Sequence, residues 1–390
     1  MKVPILDLCR MPDELTAELT RTFTSVLASG HFILGPEVSS FEAECASYLE
    51  SSHTIAVSSG TDALLMALMA LNISPGDEVI CPTYTFFGTA GSIYRTGATP
   101  IFVDSLPCCY NLDPSAVAAA ITSRTKAIMP VHLYGQAAEM NSIMGLANKH
   151  GLTVIEDAAQ SLGARFGDRQ TGTLGTIGCY SFYPTKNLGA LGDAGLLTTN
   201  DPVLAEKLKT LRMHGSRVKY MHETVGGNFR IDALQAAFLR VKLPHLNQAH
   251  TNRARNATRY TENLLASGLA KFPVEGCLCG KSGSPLEAPL LLPYSCQPHH
   301  IYNQYVIRVT GEGKRDALRE FLTGKGIGTE IYYPLPLHQQ QCFASLASST
   351  KSYPWAERFS RETLAIPIFP ELRKEEIDYV SEQIAAFFRL

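Results

Sequence analysis

Between about residue 50 and residue 200, short β-branched runs alternate with longer amphipathic ones, and few folds accept that pattern. HTIAV (53–57), EVICP (78–82), TPIFVD (99–104), KAIMPVHL (126–133), LTVIED (152–157), CYSF (179–182) and GLLTTN (195–200) read as strands. DALLMALMAL (62–71), a stretch from Phe86, a segment near 114–121 and MNSIMGLANKH (140–150) read as the helices between them. Strand and helix in alternation imply parallel strands joined by right-handed helical crossovers, which makes a three-layer α/β domain.

The flanks read differently. Pro12 to Gly30 predicts a helix outside the sheet, with Asp13 and Glu14 in its first turn and Gly30 as its stop. Residues 232–266 are strongly helical, and Pro244 marks a kink or break there, so the expected units are 1–245 and 246–390. Cys277 to His300 is rich in Gly, Pro, Ser and Leu without a period and predicts a long loop. After it come a strand at 301–310, a helix at 315–327 with Gly324 near its end, and a helix at 374–388, together a small α+β unit.

The chain has 390 residues, of which 45% are hydrophobic and 18% charged, with a formal net charge of -2. That balance gives no bulk electrostatic reason to bind nucleic acid or an acidic membrane, and small-molecule chemistry is the expectation. The ten cysteines are mostly scattered (Cys9, Cys45, Cys81, Cys179, Cys342, with Cys296 the tenth) or close together as Cys108 with Cys109 and Cys277 with Cys279. None has the spacing of a zinc motif, so reduced thiols and no metal are expected. No leader-like start and no run as long as a membrane span is present, and a cytoplasmic location is the corresponding expectation.

In an open α/β sheet the ligand lies beyond the carboxyl ends of the strands. After HTIAV, Ser58, Ser59, Gly60, Thr61 and Asp62 open a helix, which suits a phosphate; a plain helix cap by Ser59 or Thr61 fits the same residues. LTVIED ends in Asp157, followed by Ala158, Ala159 and Gln160. A carboxylate behind an apolar run needs a cation, such as a protonated pyridine nitrogen, although a cap or a metal-binding acid is equally compatible. Past CYSF stands Lys186, amid Gly189, Gly192 and Gly195, placed to form an imine with an aldehyde; a lone loop lysine is otherwise just solvated. PTYTFFGTA (82–90) offers Phe86 to lie on a planar ring, or to pack in the core. In the order phosphate turn, aromatic, aspartate, lysine, the four describe a pyridoxal-phosphate (PLP) site.

At this point the chain closely resembles the DegT/DnrJ/EryC1/StrS family of sugar aminotransferases. The matching stretches are FILGPEVSSFE (32–42), SSGTDAL (58–64), PGDEVICPTYTFF (75–87), PVHLYGQ (130–136), IEDAAQSLGA (155–164), SFYPTKNLGALGDAG (181–195) and GGNFRIDALQAA (226–237). The resemblance implies PLP fold type I, like aspartate aminotransferase, with a mostly parallel seven-stranded sheet and a homodimer sharing its active sites. By position it gives Lys186 the Schiff base, Asp157 the pyridinium and Gln160 the ring hydroxyl. Phe86 takes the stacking place, Gly60, Thr61 and Ser181 the phosphate, and Asn228 reaches in from the other subunit.

The implied reaction is transfer of an amino group, usually from glutamate, to a keto sugar carried on a UDP or dTDP nucleotide. Residues 212–237 and 330–343 resemble the branch that aminates carbon 3. In that branch Tyr183, Tyr332 and Tyr333, with Lys219 and Arg230 of the partner, fall around the sugar and diphosphate. The basic run Arg212, His214, Arg217, Lys219, His222, Arg230 suits a diphosphate, and an exposed charged loop fits it too. Histidine is frequent in the family where Tyr332 stands, and glycine where Ala194 stands. Two other readings stand beside this one. Some relatives are sugar dehydratases, mostly with histidine in place of the lysine, and the fold also allows a PLP-bearing regulatory protein without turnover.

Overall fold

The computed structural model describes residues 1–273 and 288–389. The alternating apolar runs form one sheet from β1 (His53–Val57), β2 (Glu78–Pro82), β3 (Thr99–Val103), β4 (Thr125–Ile128), β5 (Thr153–Asp157), β8 (Ile177–Ser181) and β9 (Gly195–Thr199). A two-stranded ribbon, β6 (Arg165–Phe166) with β7 (Arg169–Gln170), interrupts that series. The spatial order is β1-β9-β8-β5-β4-β2-β3, seven strands in all. Six run parallel and β9 alone runs against its neighbours β1 and β8.

The exception has a physical cause. A parallel return needs a crossover of a dozen or more residues, usually helical. Between β8 and β9 the chain forms no helix but the loop that carries Lys186, so the next strand turns back.

Upstream of the sheet lie α1 (Asp13–Ser29) and α2 (Pro36–Leu49). The first ends at Gly30 with φ of 67°, as its sequence predicts. The second was not anticipated, although Pro36 at its first turn after Gly35 is a start signal. Then come α3 (Gly60–Ala70), α4 (Phe87–Arg95), α5 (Pro114–Ala120), α6 (Met140–His150) and α7 (Pro202–Arg212). Most of α3 is buried, and it is apolar nearly all round, as a helix held between a sheet and other helices must be. KAIMPVHL is a strand only to Ile128, after which Pro130 begins the turn toward Tyr134.

A hairpin, β10 (Ser216–Val218) with β11 (Met221–His222), stands out from the surface after α7. Pro244 falls in a one-turn 3-10 helix between α8 (Ala233–Lys242) and α9 (Leu246–Ala266). A second core follows. It packs α9, α10 (Lys314–Gly324) and α12 (Lys374–Phe387) on a sheet of β12 (Ala270–Lys271), β13 (Leu290–Leu291), β14 (Tyr305–Val309) and β15 (Thr363–Ile366). Val3, from the start of the chain, is buried in this core too. α11 (Pro354–Glu362), just before β15, faces the first core.

The expectation of one loop from Cys277 to His300 is corrected at Leu290–Leu291, which form β13 because both side chains are buried and β12 and β14 pair with their backbone. Cys277 and Cys279 lie outside the described residues.

Candidate active site

The carboxyl ends of β1, β2, β4, β5 and β8 form one edge of the sheet, and residues from all of them meet there. Ser59 caps α3 by accepting from the Asp62 amide at 3.1 Å, so the capping reading holds for that hydroxyl. The Ala63 amide is also taken, by Ser59 O at 3.0 Å. A helix gives its first amides no internal acceptor, so those of Gly60 and Thr61 are left to face an anion. Gly60 is needed for closeness. A Cβ there would lie 2.6 Å from Cβ of Ser181, which brings the Ser181 hydroxyl beside the helix start.

Asp157 ends β5 nearly fully buried. Its Oδ2 accepts from Thr89 Oγ1 at 2.7 Å and its Oδ1 from the Ala159 amide at 3.2 Å. Burial pushes its pKa up, against the opposing pull of those two donors and of the Lys186 charge. A carboxylate held this dry asks for a cationic ligand. The neighbouring Glu156 points to the other face of the strand, where it accepts from Gly172, Leu174 and Gly175 amides and pairs with His132 Nε2 at 2.8 Å. His132 Nδ1 accepts from the Ala138 amide, so the proton of that ring sits on Nε2 toward Glu156. The His132 amide in turn donates to Asp157 O at 3.0 Å, which fixes the backbone under the carboxylate.

Lys186 is partly buried in the loop after β8, its amide donating to Tyr183 O. Lost hydration pulls its pKa down to about 8, with Asp157 opposing. Only the neutral amine attacks a carbonyl. Uptake of PLP by cofactor-free protein is therefore expected to accelerate as pH rises toward about 8 and to level off above it. Following visible absorbance against pH tests this, and a rate that falls across the range contradicts it.

Phe86 is 58% exposed, which removes it from the core and leaves its ring face open. It stands 6.2 Å from the Tyr333 ring, centroid to centroid. Gln160 is oriented from both ends: its Oε1 accepts from the Tyr134 amide at 2.6 Å and its Nε2 donates to Tyr333 Oη at 3.1 Å. Tyr332 and Tyr333 are carried here by the buried Tyr84, whose hydroxyl donates to Tyr332 O and accepts from the Tyr333 amide. Burial raises the pKa of both Tyr332 and Tyr333, so each meets a ligand as a neutral phenol. Tyr183 is 52% exposed at the mouth.

The remaining predicted residues lie on another arm. Phe229 O accepts from the Ser58 amide and Arg230 bridges Val57, so Asn228 and Arg230 run along the end of β1. Lys219 is at the tip of the β10–β11 hairpin, with its ammonium 5.1 Å from the Tyr220 ring centroid. Arg212 corrects the basic-run expectation. It is 7% exposed and spent on Glu42 and Ala56 O, so it is not open to a diphosphate.

Sequence reasoning missed Thr89. The signal was its place three residues after Phe86, on the same face of the first turn of α4. Thr89→Val removes a hydrogen bond to a charge, worth about 1.5–3 kcal/mol. Roughly tenfold or greater weakening of PLP retention is the expected result, readable by equilibrium dialysis.

A ligand with a phosphate at one end, a flat ring and a basic ring nitrogen fits this edge, and with it comes the class: a PLP-dependent aminotransferase of fold type I. The DegT/DnrJ/EryC1/StrS aminotransferase family model matches residues 13–385, and the chain belongs to that family. It is similar to the "Pleiotropic regulatory protein" of Geobacillus stearothermophilus, 46% identical over 100% of this chain and 99% of the relative. It is also similar to the dTDP-3-amino-3,4,6-trideoxy-alpha-D-glucose transaminase of Streptomyces venezuelae, 43% identical over 98% and 96% of the two chains. A crystal structure of S. venezuelae DesV in complex with a ketimine intermediate superposes with a TM-score of 0.90, at 41% identity, covering 99% of this chain and 98% of the other. None of the described helices is long and apolar enough to cross a membrane.

Proposed function

We propose that this enzyme transfers the amino group of an amino acid, glutamate being the first choice, to carbon 3 of a keto sugar carried on UDP or dTDP. The observation that carries it is Asp157: a dry carboxylate, pushed toward neutrality by burial, at the strand end next to the strand that leads to a poorly hydrated lysine. Likeness to a sugar-nucleotide 3-transaminase supports the substrate class.

Bound PLP would supply the aldehyde and the electron sink that such an exchange of amino groups needs. The protein's own part is positional and acid–base. Lys186, which holds the cofactor at rest, moves protons as a free amine once released, a role its lowered pKa suits near neutral pH. Asp157, oriented by Thr89, keeps the ring nitrogen protonated, and Gln160 lies beside the ring hydroxyl. Gly60, Thr61 and Ser181 hold the phosphate, and Phe86 covers the ring. Tyr183, Tyr332 and Tyr333 line the sugar's approach.

The subunit is read as half of a homodimer, with Asn228, Lys219 and Arg230 completing the partner's site, and the enzyme as cytoplasmic. Exposed apolar side chains on and after α1, among them Phe23, Leu27, Phe32 and Ile33, support a second copy there. Incubating the holoenzyme with glutamate and a panel of UDP- and dTDP-linked keto sugars, with mass spectrometry of the products, tests the reading. The expected result is one 3-amino sugar nucleotide; a dehydrated sugar that keeps its oxygen at carbon 3 would move the chain to the dehydratases. The regulatory name of the Geobacillus relative keeps a second reading in view, and no product from any donor and acceptor would favour it.

A further inference from the structure

The cysteines spaced unlike any zinc motif converge in space. Sulfurs of Cys108, Cys109 and Cys296 all lie within 4.8 Å of one another. The first two are buried in the loop after β3, and the third is far along the chain, in the segment after β13. We propose that these three thiolates bind a zinc ion that ties the two segments together.

The geometry needs little adjustment. With Zn–S bonds of about 2.3 Å, sulfurs of a tetrahedral site stand roughly 3.8 Å apart. Both segments are also held in place by buried polar side chains that do not involve sulfur. Gln136 donates from Nε2 to Tyr294 O at 3.2 Å, and its Oε1 accepts from the amides of Cys296 and Gln297. Asn111, beside the paired cysteines, donates to Gln136 O at 3.1 Å and Ala137 O at 3.2 Å. The Leu106 amide closes the loop onto Asn111 O at 2.8 Å, and Arg308 Nη1 of β14 donates to Pro107 O at 3.4 Å. Leu106 and Tyr294 pack around the sulfurs.

A rigid frame that delivers three soft ligands to one point favours a thiophilic ion of tetrahedral habit. Cys296 is the partly exposed ligand, so metal enters from its side and a water or another donor completes the set. Binding converts three thiols to thiolates and releases their protons to solvent, so affinity rises with pH. The site departs from the sequence expectation of no metal because spacing rules see only ligands that are near in the chain.

The test is elemental analysis of the reduced full-length holoenzyme after incubation with zinc and gel filtration. About one zinc per chain is expected in the wild type and in Lys186→Ala, with most of it lost in Cys296→Ser and retained in Cys342→Ser, whose thiol is exposed elsewhere. Cobalt in place of zinc should give a near-ultraviolet sulfur-to-metal band in the wild type. Less than about a tenth of an equivalent of zinc on reduced wild-type protein would overturn the site. So would zinc that survives Cys296→Ser, or an intact mass showing that Cys296 forms a disulfide. The wild-type measurements decide the matter even if the serine variant does not fold.

Discussion

Replacing Lys186 by alanine is expected to leave a protein that folds, binds PLP without the visible absorbance of the lysine-linked form, and turns over at least about 10³-fold more slowly. The size follows from the two tasks proposed for it: anchoring the cofactor covalently and moving protons during the transfer. Alanine does neither. The loop should survive, because the backbone amide of residue 186 donates to Tyr183 O, a bond that alanine keeps. Absorbance spectroscopy and a coupled assay read both effects. A variant with unchanged absorbance would overturn the anchor.

Asp157→Asn is the second large effect. The change is nearly isosteric, yet it removes the charge proposed to face the ring nitrogen, and it forces one local donor to give up its acceptor. Thr89 Oγ1 and the Ala159 amide each donate to a separate carboxylate oxygen, and asparagine offers only one. The Thr89 hydroxyl must then turn to accept from the NH₂ group, with Thr85 Oγ1 at 3.2 Å left to take its proton. Breaking a buried pair by removing one partner costs about 3–5 kcal/mol, or roughly 150- to 4,000-fold. That loss should appear in turnover and in PLP retention together, whereas a variant that weakened cofactor binding alone would reduce Asp157 to a structural acid.

Much of this edge was legible in the chain because parallel strands buried on both faces are written as short apolar runs, and the residue after each run is at the ligand edge by construction. Asp157, Lys186, Gly60 and Phe86 were readable for that reason. What escaped depends on contacts across sequence distance. Thr89 matters only because α4 starts where β5 ends, and Arg212 looked like a diphosphate ligand until Glu42 of α2, a helix not anticipated, was seen to bury it. Tyr84 carries Tyr332 and Tyr333 to the site across 248 residues, and no local pattern predicts such a clasp. The antiparallel β9 was hidden because a strand's direction is set by the length and form of its connection, not by its own residues.

Lys186 and Asp157 are proposed to serve transamination and not merely PLP binding. The most direct measurement mixes the yellow holoenzyme with excess glutamate in the absence of any sugar and follows absorbance and 2-oxoglutarate together. Loss of the visible band is expected with release of about one 2-oxoglutarate per site, one amino group being stored for each cofactor. An unchanged band and no keto acid, with glutamate and then with glutamine and aspartate, would contradict it.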